Sequence, residues 1–360
     1  MISSLGPVAA SAVSQAPMHI PDGYLSPVTS AIMFALALPF WYVGVRKLRE
    51  TANAKNVPLV ALMAAFSFVI MMFNVPLPGG TTGHAVGGAL AAILLGPEIA
   101  SIAISVALVI QAFLFGDGGI LAIGANCFNM AVVLPYTSYA IYRAIAPGSG
   151  ASDRRRLVGA AVGGWVGLNV AAFFAAVEFG IQPALFHAAD GTPLYAPYPL
   201  SVAIPAMLIP HMLVASVAEG LITSLVLAYL LRTNRALLGL APEPAVARAA
   251  ASRLRALWIG LAVLIVATPL GLLAPGTAWG EWGAEELAAR GLGFVPQGLE
   301  KLQGLWGAPL PDYDLPALGN ASLGYILSAV VGVLLVAVLT WLLTSALATR
   351  KGRTRAANQA

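Results

Sequence analysis

Charge is what this sequence has least of. Only 9% of its 360 residues are Asp, Glu, Lys or Arg, against 59% hydrophobic. A soluble domain carries roughly a quarter charged residues, so this chain has too little polar surface to cover itself in water. The single cysteine, Cys127, excludes a disulfide framework and a cysteine-cluster metal site; within its apolar stretch it reads as a small buried hydrophobe. No Gly-x-x-x-x-Gly-Lys-Ser/Thr occurs, so there is no P-loop; the Gly-rich run Pro78 to His84 lacks the lysine. No internal repeat of fixed period is present either. The net charge of +4 is no sign of nucleic-acid binding, because the placement of the basic residues explains it.

What the chain does have is long apolar runs, near residues 28–45, 57–75, 85–95, 98–114, 120–142, 158–180, 200–231, 256–274 and 323–347. A helix needs about 20 apolar residues to cross the hydrocarbon core, and most of these runs qualify. The run 85–95 is short and stopped by Gly96-Pro97, so it reads as a partial or tilted span. The implied fold is an all-α protein embedded in a lipid bilayer. Placing alternate loops on opposite sides puts 17 of the 19 basic residues on one side and leaves only Arg290 and Lys301 on the other. The positive-inside rule then runs the odd-numbered segments inward. Residues before Val28 and the loops 76–84, 115–119, 181–199 and 275–322 face outside, and the C-terminal tail is cytoplasmic.

The chain divides into units. Residues 18–231 form a seven-segment block with short loops. Residues 232–255, with Ala241-Pro242-Glu243-Pro244, read as a cytoplasmic linker. Residues 256–347 hold two spans around an outer loop that carries Glu281, Glu285, Glu286, Glu300, Asp312 and Asp314, and 348–360 are a basic tail. Residues 1–17 lack the basic start and apolar core of a secretory signal. A start codon assigned too early, with Met18 as the true first residue, is the simplest account. Cleavage near Ser14-Gln15-Ala16, hindered by Pro17, and an intact extension are the others.

Histidine is scarce: His19, His84, His187 and His211 are all there are. The topology puts His19, just before the first span, and His84, at the outer end of the third, on the same side. They form a candidate metal pair, although a lone histidine at a helix end is ordinarily a polar boundary residue. Glu219 stands out as an acid deep in a span, where ionisable groups point to function. His211 lies eight positions earlier, about 80° around the helix. His211, Glu219, Asp22, Asn126 and Asn129 are candidates for orienting a ligating imidazole, or for polar contact between helices. His187, beside Asp190 in an outer loop, reads as solvated.

The run Met18-His19-Ile20-Pro21-Asp22-Gly23-Tyr24-Leu25-Ser26-Pro27 resembles the N-terminal signature of the CbiM/NikM family. These are the substrate-binding (S) components of energy-coupling-factor cobalt and nickel transporters. The likeness covers residues 18 to about 231 and extends to Pro78-Gly79-Gly80-Thr81-Thr82-Gly83-His84, to Gly124-Ala125-Asn126-Cys127-Phe128-Asn129-Met130, and to Pro210-His211 with Glu219-Gly220. It implies a multi-pass importer subunit of a prokaryotic plasma membrane, with Co²⁺ or Ni²⁺ as transported substrate and no permanent cofactor. Its partners would be a transmembrane coupling (T) subunit and two cytoplasmic ATPase subunits. The implied ligands are the amine of Met18, the amide nitrogen and imidazole of His19, and the imidazole of His84.

Such a set closes fused chelate rings and makes a tetragonal nitrogen site that suits Ni²⁺. Pro21 stiffens the chain beyond the chelate, and Gly79, Gly80 and Gly83 allow close backbone approach. If residues 1–17 stay attached, the Met18 nitrogen is an amide and the amine ligand is lost. Residues 256–347 resemble the PDGLE module, with Pro296-Gln297-Gly298-Leu299-Glu300 carrying Gln in place of Asp. This module is expected to replace a separate small membrane subunit, with a solvated loop whose acids could gather cations. An ion-coupled secondary transporter, the alternative, would be expected to line a midplane path with polar groups, and Glu219 is nearly alone there. A metalloenzyme would need an open coordination position.

Overall fold

The computed structural model describes residues 19–51, 57–77, 81–240, 243–274 and 278–357, with the side chains of 243–253, Ala289 and 348–357 outside that description. Met18, the extension 1–17, the glycines Gly79 and Gly80, and Ala241-Pro242 therefore lie outside the described residues.

Each apolar run forms helix, because in a bilayer only intra-segment hydrogen bonds satisfy the backbone. The described residues contain six helices long and apolar enough to cross a membrane: Pro27–Thr51, Pro97–Phe115, Asp153–Leu185, Leu200–Thr233, Leu254–Leu273 and Ala321–Leu347. We call the first α1 (Pro27–Thr51), followed by α2 (Val57–Met71). Nearly every residue of α2 is buried, as expected of a helix apolar all round. The short run is α3 (Gly88–Leu95), a half-helix bounded by Gly87 and Gly96, both at positive φ. Eight residues rise only about 12 Å, so α3 enters the core without crossing it.

Three spans change pitch partway. α4 (Pro97–Ile110) runs into a π-helical turn at Gln111–Phe115. A second such stretch, Cys127–Val133, joins α5 (Ile123–Asn126) to α6 (Leu134–Ile145). After α7 (Asp153–Gly180) and the single turn α8 (Gln182–Leu185), the third, His211–Ala215, joins α9 (Leu200–Pro210) to α10 (Ser216–Thr233). Pro135 and Pro210 each remove a ladder donor beside a wide turn. π-turns of this kind cluster at functional sites.

Two features depart from the sequence reading. The loop 76–84 contains a short hairpin, β1 (Val75–Leu77) paired antiparallel with β2 (Thr81–Gly83), so His84 leaves a strand rather than an open loop. The segment expected as a linker, 232–255, is also partly helical: α11 (Glu243–Ala267) already begins at Glu243, since Ala and Arg are strong helix formers.

The C-terminal unit is docked against the block, and its outer loop is not solvated as expected. α14 (Ala321–Ala357) lies along α2, where Gly332 leaves no room for a Cβ beside the Phe68 ring and the Tyr325 hydroxyl donates to the Met72 carbonyl at 2.9 Å. The loop folds into α12 (Ala284–Ala289) and α13 (Gln297–Leu302), burying Trp282, Leu287 and Leu299 with Ile20, Tyr24 and Leu25 of the N-terminal signature. Leu299 of the Pro-Gln-Gly-Leu-Glu motif sits on Gly23, where an added Cβ would stand 2.7 Å from the Leu299 Cα.

Candidate metal site

The N-terminal peptide is the foundation of the site. Its backbone needs partners once buried, and Asn126 supplies them in both directions. Ile20 N–H donates to Asn126 Oδ1 at 3.0 Å, and Asn126 Nδ2 donates to the Ile20 carbonyl at 3.1 Å. Asp22 accepts from the N–H groups of Ile120 and Leu121 at 3.0 and 2.8 Å, and Gly119 N–H reaches the Ile20 carbonyl at 2.9 Å. These contacts fasten the segment that carries Asp117.

Asp117 in turn orients His19. The His19 ring is 2% exposed; its Nδ1 lies 3.0 Å from Asp117 Oδ1, while its Nε2 is sealed and has no hydrogen-bond partner. Asp117 Oδ2 accepts from the Tyr313 hydroxyl at 2.6 Å, and Gln111 Nε2 donates to that same hydroxyl at 2.9 Å. A carboxylate behind an imidazole fixes its tautomer and raises its basicity as a ligand.

His84 is 5.2 Å from His19 between ring centroids, edge to face. Its Nδ1–H donates to the Ala85 carbonyl at 3.0 Å, which leaves the Nε2 lone pair for another purpose. Burial, with His19 adding to it, pushes the His84 imidazole down to about 4, so it is neutral at physiological pH. Glu219 does not reach toward the rings. Its carboxylate accepts the N–H groups of Val86, Gly87 and Ala89 at 2.8, 2.8 and 3.0 Å, capping α3 and fixing the backbone that follows His84.

His19, His84 and His211 line one cavity of about 90 Å³, with Asn129, Trp279 and Glu281. His211 Nδ1–H donates to the Met207 carbonyl at 2.7 Å, the same arrangement as in His84. Asn129 donates to Glu178 at 3.1 Å, and its Oδ1 has no partner. His187 is exposed and lies outside the cavity. Among the described residues, no three His, Cys, Asp or Glu side chains are gathered so that they alone could hold a metal ion. Met18, whose amine was expected as a further ligand, lies outside the described residues.

Four polar residues of this region were not singled out from sequence. Asp117 is the one acid in the outer loop 115–119, a signal that could have been used. Glu178 is a second acid within a span, buried in the last turn of α7. Tyr313 and Glu281 come from the C-terminal unit, where Glu281 was one of six acids in a loop. Burial, with Asp117 adding to it, holds the Glu281 carboxyl well above the ordinary carboxylate range.

Apolar spans around a small cavity of histidine and acid define a multi-pass membrane protein with a site sized for an ion. The comparisons narrow this. Residues 19–237 match the CbiM family, described as the cobalt uptake substrate-specific transmembrane region, and residues 253–349 match the PDGLE domain. The chain belongs to the CbiM family and carries a C-terminal PDGLE module. It is 54% identical to the fused nickel transport protein NikMN of Rhodobacter capsulatus, over 89% of this chain and 95% of that protein. It is 44% identical to the probable fused nickel transport protein LarMN of Lactiplantibacillus plantarum, over 88% and 95%. A crystal structure described as a truncated transition metal transporter aligns with a TM-score of 0.56 at 53% identity, covering 60% of this chain and 99% of that one. The protein is thus a membrane transport protein of the cobalt and nickel group rather than an enzyme.

Proposed function

We propose that this chain captures Ni²⁺ or Co²⁺ at its outer face, as the substrate-binding subunit of an energy-coupling-factor importer. Chemical energy would come from a separate coupling subunit and two cytoplasmic ATPase subunits. The relatives that share both units are named for nickel and the family for cobalt, which is why both ions stay in the proposal with nickel first. The observation that carries the reading is the pairing of His19 and His84, two buried rings 5.2 Å apart, each held through Nδ1. With the amine of Met18 and the amide of His19 they make up an all-nitrogen set. Closing a chelate ring with its own amide requires the His19 Nδ1. A half-turn of the ring exchanges Nδ1 with Cδ2 and brings Nε2 to the side of Asp117. Loading therefore includes that turn.

The outer-face assignment rests on charge. The basic residues follow α1, α6 and α10 and open α7, where Arg235 pairs with Asp153, at the end of the bundle away from the cavity. The test is calorimetric titration of Ni²⁺ into the purified chain in two forms. A chain that begins at Met18 binds tightly, and one that keeps residues 1–17 binds at least about tenfold more weakly for want of the amine. Equal affinity in the two forms would falsify the amine ligand.

A further inference from the structure

The C-terminal unit does more than dock. Its segment Ala278–Trp282 forms part of the cavity wall, through Ala278, Trp279 and Glu281. The segment is tied at both ends to the parts that carry the two histidines. Trp279 N–H donates to Thr81 Oγ1 at 2.6 Å, three residues before His84. The Trp282 carbonyl accepts from the Tyr24 hydroxyl at 2.8 Å, within the peptide that begins with His19. Between these ties the chain turns: Glu281 N–H reaches the Ala278 carbonyl at 3.2 Å, and Gly280 takes φ +85° with no room for a Cβ against the Phe179 ring. Only glycine suits that position.

The turn delivers Glu281 to the cavity wall in an unusual condition. The residue is half-buried, yet its Oε2 is sealed and has no hydrogen-bond partner. A carboxyl in the cavity wall with one sealed, unpartnered oxygen has a polar group available to an incoming cation. Asp117 is engaged by His19 and Tyr313. Glu178 also has a bare oxygen, but it is held by Asn129 and does not line the cavity. The histidines offer lone pairs without negative charge, and a dication that sheds water needs a counter-charge. In the same cavity lining, His19 Nε2 is likewise buried and unpartnered.

We propose that Glu281 is a cation-receiving carboxylate. It meets the divalent ion at the cavity wall, yields its proton to water as the ion arrives, and passes the ion to the nitrogen donors, so the C-terminal unit supplies a working residue of the uptake site. This rests on the nitrogen-site reading above, and one experiment separates the two. Stopped-flow mixing of Ni²⁺ with the purified chain that begins at Met18 and keeps its C-terminal unit, followed by tryptophan fluorescence and by the absorption of the loaded form, gives association and dissociation rates. Failure of the unaltered chain to take up Ni²⁺ overturns the nitrogen-site reading itself.

If the unaltered chain binds, Glu281→Gln lowers the association rate about tenfold, since the variant cannot take on the charge that forms as the ion arrives, and charge at a cleft raises on-rates by 10-fold or more. Its dissociation rate and absorption band stay unchanged. Glu281→Asp restores most of the rate, and Glu281→Ser, a second neutral variant, slows association as Gln does. Glu285→Gln and Glu300→Gln, exposed on the same loop, leave the rate within about twofold, because diffuse surface charge is screened by salt. A normal association rate in either folded neutral variant overturns the proposal. So does equal slowing by the exposed controls, or a changed absorption band, which would make Glu281 a resident ligand.

Discussion

The two units of this chain contribute different chemistry to one cavity. The family block, residues 19–237, brings nitrogen: three histidine rings, each held through its Nδ1, and the N-terminal backbone. The PDGLE unit brings oxygen, with Tyr313 behind Asp117 and Glu281 at the wall. Nitrogen donors on a rigid frame set geometry and selectivity. Oxygen groups on an appended loop supply charge and support. Under the proposed function, this is a division in which an accessory unit enters a binding site without holding its ligands.

The comparison can be broken at graded points. His84→Ala removes a ligand from the block and should cost more than the roughly 10–100-fold typical of supporting partners. Calorimetry with Ni²⁺ shows it, and near-normal affinity in the variant removes His84 from the ligand set. Asp117→Asn keeps shape and loses charge behind His19, for an expected loss of about 10–100-fold in the same titration. Acidification from pH 7 to 6 has an effect of comparable size with a distinctive origin. The His84 imidazole, held at about 4, stays neutral throughout that interval, so it contributes almost nothing to the loss. A free amine with an ordinary value near 7.7–8.0 contributes about tenfold, and the His19 amide, which sheds its proton to coordinate, contributes about as much again. A loss beyond the amide's share in a chain with a blocked amine would reassign the effect to the rings.

The PDGLE side is expected to give milder effects. In Gly298→Ala the added Cβ would lie 2.3 Å from the Tyr195 ring and 2.6 Å from the Leu194 carbonyl, so the motif cannot seat as it does now. Overpacking of this kind costs about 1–3 kcal/mol, read as a lower melting temperature with the block's helices intact. An unchanged melt would show that the docking does not depend on this contact. Tyr313→Phe deletes one hydrogen bond to Asp117, worth about 1 kcal/mol, and should weaken Ni²⁺ binding about fivefold. No change would detach the PDGLE unit from the support of His19.

Much of the fold could be read from the residues, since each apolar run became helix and Gly96-Pro97 marked α3 as a half-helix. His84 was visible because a Gly-Thr loop isolates it at a span's outer end, although the β1–β2 hairpin that positions it was not. Asp22, Asn126, Asn129, His211 and Glu219 are all engaged around the cavity or its frame, and Glu219 acts on backbone rather than on a ring. What escaped was long-range pairing. Asp117 meets partners 98 and 196 positions away, and periodicity carries no information about which carboxylate faces which ring. The packed outer loop escaped for the same reason: its acids suggested solvent, while Trp282, Leu287 and Leu299 settle it on the signature peptide.

X-ray absorption of the Ni²⁺-loaded chain that begins at Met18 tests the central claim most directly. The predicted spectrum has an all-nitrogen, near-planar first shell with the outer-shell scattering of imidazole. A first shell of oxygen or sulfur, or an octahedral site, would contradict it.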